Sequence, residues 1–274
     1  MKGNYQANAV AEVIKLFQAG LLSVLKEDLV GIYIIGSYGL DDFNPDLSDL
    51  DFVVITHEPI SQDKLNLVRD NHLEIESSYP QPPLSGIYIE KKNLGKTKEE
   101  IETISFFNNG ALKTTTDPAR FFEINPITWI ELKINAHTIW GEPAQQLNNP
   151  ILWEQVYEYL HQNINSYWKK YLVEPRNPSH KYYYDTLLKG SENAWCVAGV
   201  ARQLYTLREQ KITSKKGACL YFLDQTPKRF RKILQDTINF REGRKARPAW
   251  RQKKDTLSFI AYCISAFNEA YLKE

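Results

Sequence analysis

Residues 31–56 read GIYIIGSYGLDDFNPDLSDLDFVVIT. An apolar run, 31–35, ends on Gly36-Ser37. After eleven intervening residues Asp49-Leu50-Asp51 opens a second apolar run, 51–55. Both runs are short, β-branched and bounded by turn residues, which predicts two strands. Residues two apart on a strand share a face. Asp49 and Asp51 therefore aim their carboxylates at one point, and Leu50 aims into the core.

Asp-x-Asp by itself is common in surface turns. Here it stands at the mouth of an apolar strand, where a charge is costly unless a metal or hydrogen bonds compensate it. Two convergent carboxylates suit a hard cation such as Mg²⁺, which takes one or two carboxylates and completes its shell with substrate phosphates. The Gly36-Ser37 turn offers small side chains and backbone N–H groups to a polyphosphate. The combination implies chemistry on a nucleoside triphosphate. Asp41, Asp42 and Asp46 in the intervening loop read as solvated turn residues. Ser48 is placed to satisfy backbone groups or the carboxylates.

Working outward, residues 8–25 carry Val10, Val13, Ile14, Phe17, Leu21, Leu22 and Leu25 at helical spacing, with Asn8 as the expected N-cap. Residues 64–76 read as a helix that stops before Tyr79-Pro80-Gln81-Pro82-Pro83. Leu84–Glu90 reads as a third strand, while the pattern of 99–107 fits helix or strand equally. Residues 126–135 are apolar and lead to the turn-like Trp140-Gly141-Glu142-Pro143. Beyond Leu152 strand signals fade. Helical periodicity then covers 153–168, 182–188, 192–207, 215–223, 228–240 and 254–271. The expected fold is α+β: an N-terminal domain, 1–152, with a small mixed sheet and helices, then an all-α bundle, 153–274. The site is expected in a cleft between them.

Composition sets bounds on function. Hydrophobic residues make up 43% and charged residues 24% of 274, as in ordinary globular chains. A net charge of +1 gives no global attraction to nucleic acid or a membrane surface. The only strongly basic run, 241–251, is flanked by Gly and Pro and reads as a solvated loop. No apolar run of about 18 residues predicts a transmembrane helix, and the N-terminal stretch lacks a secretory pattern. Cys196, Cys219 and Cys263 are widely spaced and odd in number, which fits buried thiols in a reducing cytoplasm. The five histidines show no metal-ligand spacing. The expected protein is a cytoplasmic monomer.

The pattern apolar strand, Gly-Ser, about a dozen residues, Asp-x-Asp on the next strand resembles the nucleotidyltransferase superfamily. Within it, the chain resembles the aminoglycoside adenylyltransferases that modify streptomycin and spectinomycin. SENAWCVAGVARQLYTLREQKITSKKGA (191–218) is similar to their C-terminal helical segment, in which an acidic residue, an Arg and a Lys recur at this spacing. The resemblance implies transfer of AMP from ATP to a hydroxyl of an aminoglycoside-like molecule. It implies Mg²⁺ on Asp49 and Asp51, and the β- and γ-phosphates on Ser37 and Gly36. Arg202 and Lys215 would close over the triphosphate, and Glu192 would face the cationic acceptor. Arg202 lies in an otherwise apolar helix, and Lys215 stands at a helix start, where the dipole disfavours a cation. Trp195, one turn after Glu192, is a candidate wall of the acceptor pocket or a core residue.

The chain departs from the family in two places. The third strand of the drug-modifying enzymes carries a glutamate that takes the proton from the acceptor hydroxyl, and that position falls here on Ser85. Serine is no base at neutral pH without help. Glu90, Glu74 and Glu76 are the nearby carboxylates. Three readings stay open: another register, a metal-activated hydroxyl with no side-chain base, or altered or lost transfer. The drug-gripping aromatic and acidic positions fall in Tyr182-Tyr183-Tyr184-Asp185, which makes Tyr183 and Asp185 candidates. Alternatives to the aminoglycoside reading are another acceptor, such as a lincosamide, a metabolite or a protein side chain, and a nucleotide-binding module without transfer.

Overall fold

The computed structural model describes residues 2–272. Residues up to Leu152 form one compact unit, and those from Trp153 onward form a second.

The first unit is built on a six-stranded mixed sheet in the order β5-β4-β3-β2-β1-β6. The strands are β1 (Leu29–Ile34), β2 (Leu50–Thr56), β3 (Leu84–Glu90), β4 (Ile104–Asn108), β5 (Ala111–Thr115) and β6 (His137–Gly141). β2 and β3 run parallel and are joined through helix α3 (Gln62–Ser78); the other neighbouring pairs are antiparallel. The parallel register pairs Leu50 with Leu84, Asp51 with Ser85 and Thr56 with Glu90.

Helix α1 (Lys2–Leu25) buries Val10, Val13, Phe17, Leu21 and Leu25 against one face of this sheet, with Ile32, Ile34, Leu50, Phe52, Val54, Leu84 and Tyr88. Each such side chain contributes about 2 kcal/mol of transfer free energy. Tyr33, Val53, Ile87 and Ile89 have the opposite parity and are buried too, so both faces of the central strands are covered. The helix begins before Asn8, which therefore lies inside it rather than capping it. The stretch Asn8–Asp28 is long and apolar enough to cross a membrane by length and composition, contrary to the sequence expectation. Its apolar stripe is the one packed on the sheet, as in a core helix.

The ambiguous segment 99–107 resolves into a 3₁₀ turn, Lys98–Glu100, followed by β4. Helix α4 (Pro126–Ile134) is capped by Asn125, whose side chain accepts from the Ile127 and Thr128 amides. Trp140 and Gly141, read as turn, lie in the edge strand β6. That strand and β5 carry few buried residues, so neither has the alternation that marks a strand in sequence.

The second unit is all helical: α5 (Trp153–Val173), α6 (Lys181–Leu188), α7 (Gly190–Glu209), α8 (Lys215–Gln225), α9 (Arg231–Arg241) and α10 (Ala249–Tyr271). α7 is its centre, with Ala194, Cys196, Val197, Ala198, Val200, Ala201, Leu204 and Leu207 buried. All three cysteines are free and buried. The basic run 241–251 is not simply a solvated loop. Residues from Ala249 onward belong to α10, and Arg247 is half-buried between two carboxylates. Its Nε lies 2.5 Å from Asp236 Oδ2 and its guanidinium 3.0 Å from Asp255 Oδ2. Its backbone N–H also donates to Asp236 Oδ1 at 3.0 Å. Arg244 pairs with Glu242.

Candidate active site

β1 ends at Ile34, and Ile35 still donates its amide to Asp51 O at 2.9 Å. The chain then turns through Gly36 at φ +64°, a left-handed conformation that favours glycine. A one-turn helix, α2 (Gly36–Gly39), follows and carries Ser37 half-buried at its start. Glycine is required at 36 for a second reason. A Cβ placed there would stand 2.2 Å from Asp51 Oδ2. The fold thus lays the Gly-Ser turn directly on the second carboxylate of the Asp-x-Asp pair.

Asp49 is exposed one residue before β2, Leu50 is fully buried, and Asp51 is half-buried. This is the alternation expected from the sequence, and it leaves both carboxylates on the sheet face opposite α1 and α3. The loop before them is held locally. Ser48 is buried, accepting from the Asn44 amide at 3.3 Å, and Asn44 Oδ1 accepts from the Asp46 amide at 3.0 Å. Ser48 therefore serves the loop backbone.

The β2–β3 register decides the question of the third-strand carboxylate. Ser85 is the direct partner of Asp51 and points to the same face, so a side chain at 85 stands beside the pair. Glu90 is opposite Thr56, five residues or about 16 Å along the strand. It has the other parity, and its carboxylate pairs with Lys92 at 2.6 Å. Glu74 and Glu76 lie on α3, which packs on the opposite face of the sheet. None of the three can replace a glutamate at 85. A carboxylate that sequence reading missed is Glu123, on the exposed turn before α4. Its residue surface is exposed, but desolvation where the carboxyl meets the protein, then the charges of Glu131 and Asp49, raise its pKa, so the carboxyl feels the charge of Asp49. It lies in no motif and no periodic segment, and only the chain path brings it there.

In the helical unit, Glu192, Trp195 and Arg202 all lie on α7. At about 100° per residue they fall within an arc of about 80°. All three are half-buried, in a stripe partly covered by α5, on a helix whose other faces are largely buried. Gly199 lies in the same stripe, and a Cβ there would stand 2.3 Å from Trp168 Cη2. Its absence lets the Trp168 ring dock, and that ring lies 5.1 Å from Trp195. Tyr171 is also 5.1 Å from Trp195 and 4.7 Å from Tyr182. Trp195 is thus the half-open edge of an aromatic cluster.

Burial raises the Glu192 pKa, and neighbouring Asp185 raises it further; Lys189 and Lys181 oppose them. Asp185 is paired with Lys189 Nζ at 2.7 Å. Tyr183 carries Lys253 Nζ over its ring, 3.3 Å from the centroid. Lys215 is the first residue of α8, after Ser214, whose hydroxyl accepts from the Gly217 amide at 2.9 Å. The structure thus gathers Gly36, Ser37, Asp49 and Asp51 at one end of the sheet. It aligns Glu192, Trp195 and Arg202 along one helix, with Asp185 close to Glu192.

Comparison with known proteins agrees with this division. Residues 20–104 match the nucleotidyltransferase domain model, and residues 185–266 match the model of the aminoglycoside adenylyltransferase C-terminal domain. No curated protein matches the chain significantly in sequence. Among solved structures, the spectinomycin adenyltransferase AAD(9) from Enterococcus faecialis, crystallised with ATP and spectinomycin, superposes with a TM-score of 0.65 at 16% identity. The match covers 97% of this chain and 99% of that one. The chain thus carries a stretch that matches the nucleotidyltransferase domain, followed by one that matches the aminoglycoside adenylyltransferase C-terminal domain, in a fold similar to that of the spectinomycin enzyme.

Proposed function

We propose that the protein transfers AMP from ATP to a hydroxyl of an aminoglycoside-like small molecule, with Mg²⁺ as cofactor. The observation that carries this reading is the approach of Gly36 to Asp51. It couples a phosphate-sized turn to a carboxylate pair, the arrangement a metal-bound triphosphate needs. The donor set fits the metal, because Asp49 and Asp51 offer two hard oxygen ligands and Mg²⁺ fills its remaining positions with water and phosphate. When bound, the ion neutralises phosphate charge and favours in-line attack at the α-phosphorus.

The chain's own residues divide the remaining work. Ser37 and the Gly36 backbone hold the β- and γ-phosphates. Arg202 and Lys215 supply positive charge to the triphosphate. Glu192 and Asp185 attract the acceptor's cationic groups, and Trp195 and Tyr183 give it apolar walls. Ser85 leaves the strand position beside Asp51 without a base, and Glu123 is the carboxyl we assign to take the acceptor proton. A Glu123→Gln variant should lose at least about tenfold in kcat while keeping ATP affinity. Unchanged turnover would leave the proton to a metal-activated hydroxyl. The absence of a base at 85 also favours a second reading, in which this fold serves a different acceptor, such as a lincosamide or a metabolite, or binds nucleotide without transfer. The internal pairing of Arg244 and Arg247 argues against an RNA-binding role for the basic run.

The deciding experiment incubates the protein with ATP, Mg²⁺ and streptomycin, spectinomycin, other aminoglycosides or a lincosamide, and follows the products by mass spectrometry. A product heavier by one adenylyl group, absent with Asp49→Asn or Asp51→Asn, is the expected result. No adduct on any aminoglycoside, with Mg-ATP still bound, would overturn the acceptor assignment.

A further inference from the structure

Two of the four acceptor-facing candidates already hold a cation supplied by the chain itself. Lys189 Nζ sits 2.7 Å from Asp185 Oδ1, in a pair whose carboxylate side chain is only 19% exposed. Lys253, on α10, places Nζ 3.3 Å from the centre of the Tyr183 ring and donates to Tyr183 O at 3.0 Å. A cation directly over an aromatic face at this distance takes the seat that a ligand cation would use. The remaining two candidates differ. Glu192 feels Lys189 and Lys181 as well, yet burial and neighbouring Asp185 still hold its pKa above the ordinary carboxylate range, and Trp195 is half-buried next to it.

We propose that Lys253 sets the acceptor's charge pattern: it fills the cation seat on Tyr183, so this protein selects acceptors whose cations cluster at one edge, facing Glu192 and Trp195. An acceptor with a second, distant cation has to displace the Lys253 ammonium from both the ring and the Tyr183 carbonyl. Burial lowers the Lys253 pKa, in keeping with an ammonium packed against protein rather than extended into water. The inference rests on the acceptor assignment above and narrows its substrate class to compact aminocyclitols.

The probes are spectinomycin, with its amines on one ring, and streptomycin, with guanidinium groups at one end and an amine at the other. Isothermal titration measures both affinities for the wild type, Lys253→Met and the double variant Lys253→Met, Tyr183→Leu. Wild type should favour spectinomycin. The ratio of streptomycin to spectinomycin affinity should rise about tenfold in Lys253→Met and fall back when the ring is also removed. Methionine keeps the apolar stem and suits the helix, so α10 remains intact. An unmoved ratio in Lys253→Met, or a rise that persists without the ring, would overturn the role of Lys253 while leaving the acceptor assignment standing. Binding of neither drug to any of the three proteins would instead overturn the assignment, and this inference with it.

Discussion

Substituting Gly36 by alanine tests the link between the turn and the carboxylate pair. Two costs follow from the structure. At φ +64° an alanine side chain is strained by about 1–2 kcal/mol. Its Cβ would also meet Asp51 Oδ2 at 2.2 Å, so the carboxylate must retreat by about 0.8 Å to reach even the 3.0 Å floor of real Cβ contacts. Moving or straining that half-buried group adds about 1 kcal/mol, for a total loss of stability near 2–3 kcal/mol. If Asp51 holds the metal as proposed, its displacement by about 1 Å should lower turnover about 100-fold. Urea denaturation reads the first effect and single-turnover AMP transfer the second. The cause is isolated by repeating Gly36→Ala in an Asp51→Ala background. There the nearest Asp51 atom becomes Cβ, at 3.1 Å, and the stability cost should fall to the backbone strain alone. Near-wild-type turnover in Gly36→Ala, or the same stability loss in both backgrounds, would refute the reasoning.

Other outcomes follow from individual contacts. His72 is fully buried, stacks on Phe107 at 3.8 Å and meets Tyr88 Oη at 2.6 Å, and burial lowers its pKa to about 3. In the unfolded chain it titrates near 6.5, so the unfolded state binds the extra proton between those values. Stability is therefore full above pH 6.5 and is lost as pH falls towards 3. Between pH 7 and 4.5 this single group should cost about 2–3 kcal/mol, and a His72→Phe variant should show an acid sensitivity smaller by that amount in urea midpoints; an identical pH slope would count against it. Lys215→Ala should raise the ATP KM about tenfold while leaving the melting temperature nearly unchanged; unchanged ATP saturation would remove Lys215 from the triphosphate site. Arg247→Ala strands Asp236, whose side chain is 8% exposed, and should destabilise the helical unit by about 2–4 kcal/mol. A loss below about 0.5 kcal/mol would mean that Arg247 is dispensable to the packing of α9 and α10.

The sequence by itself determined the elements that follow local rules. The stretch 31–56 carries two short β-branched runs and a parity that can be read without coordinates, so the burial of Leu50 and the outward placement of Asp49 and Asp51 were legible. Most helices of the second half were legible because they bury a stripe at helical spacing, as α5, α7 and α10 do. Edge strands β5 and β6 were not, because strands with little burial show no alternation, and their pairing depends on distant partners. Asn8 was misread because a good capping residue also occurs inside helices. The membership of Arg247 in an ion-pair network was hidden, since this loop residue's partner Asp236 is eleven residues away on α9.

Tertiary structure decided the matters that turn on register and contact. Pairing of Asp51 with Ser85 fixes which side chain stands beside the carboxylates and excludes Glu90, although both residues lie on the same short strand. The 2.2 Å approach at Gly36 depends on two strands meeting at one end of the sheet. The field of Asp49 on Glu123, and the seat of Lys253 on Tyr183, join residues about seventy positions apart in the chain. Local sequence encodes which backbone shape each segment prefers and which face it buries. The charges that gather around a bound molecule are set by how those segments pack, and packing is a property of the whole chain.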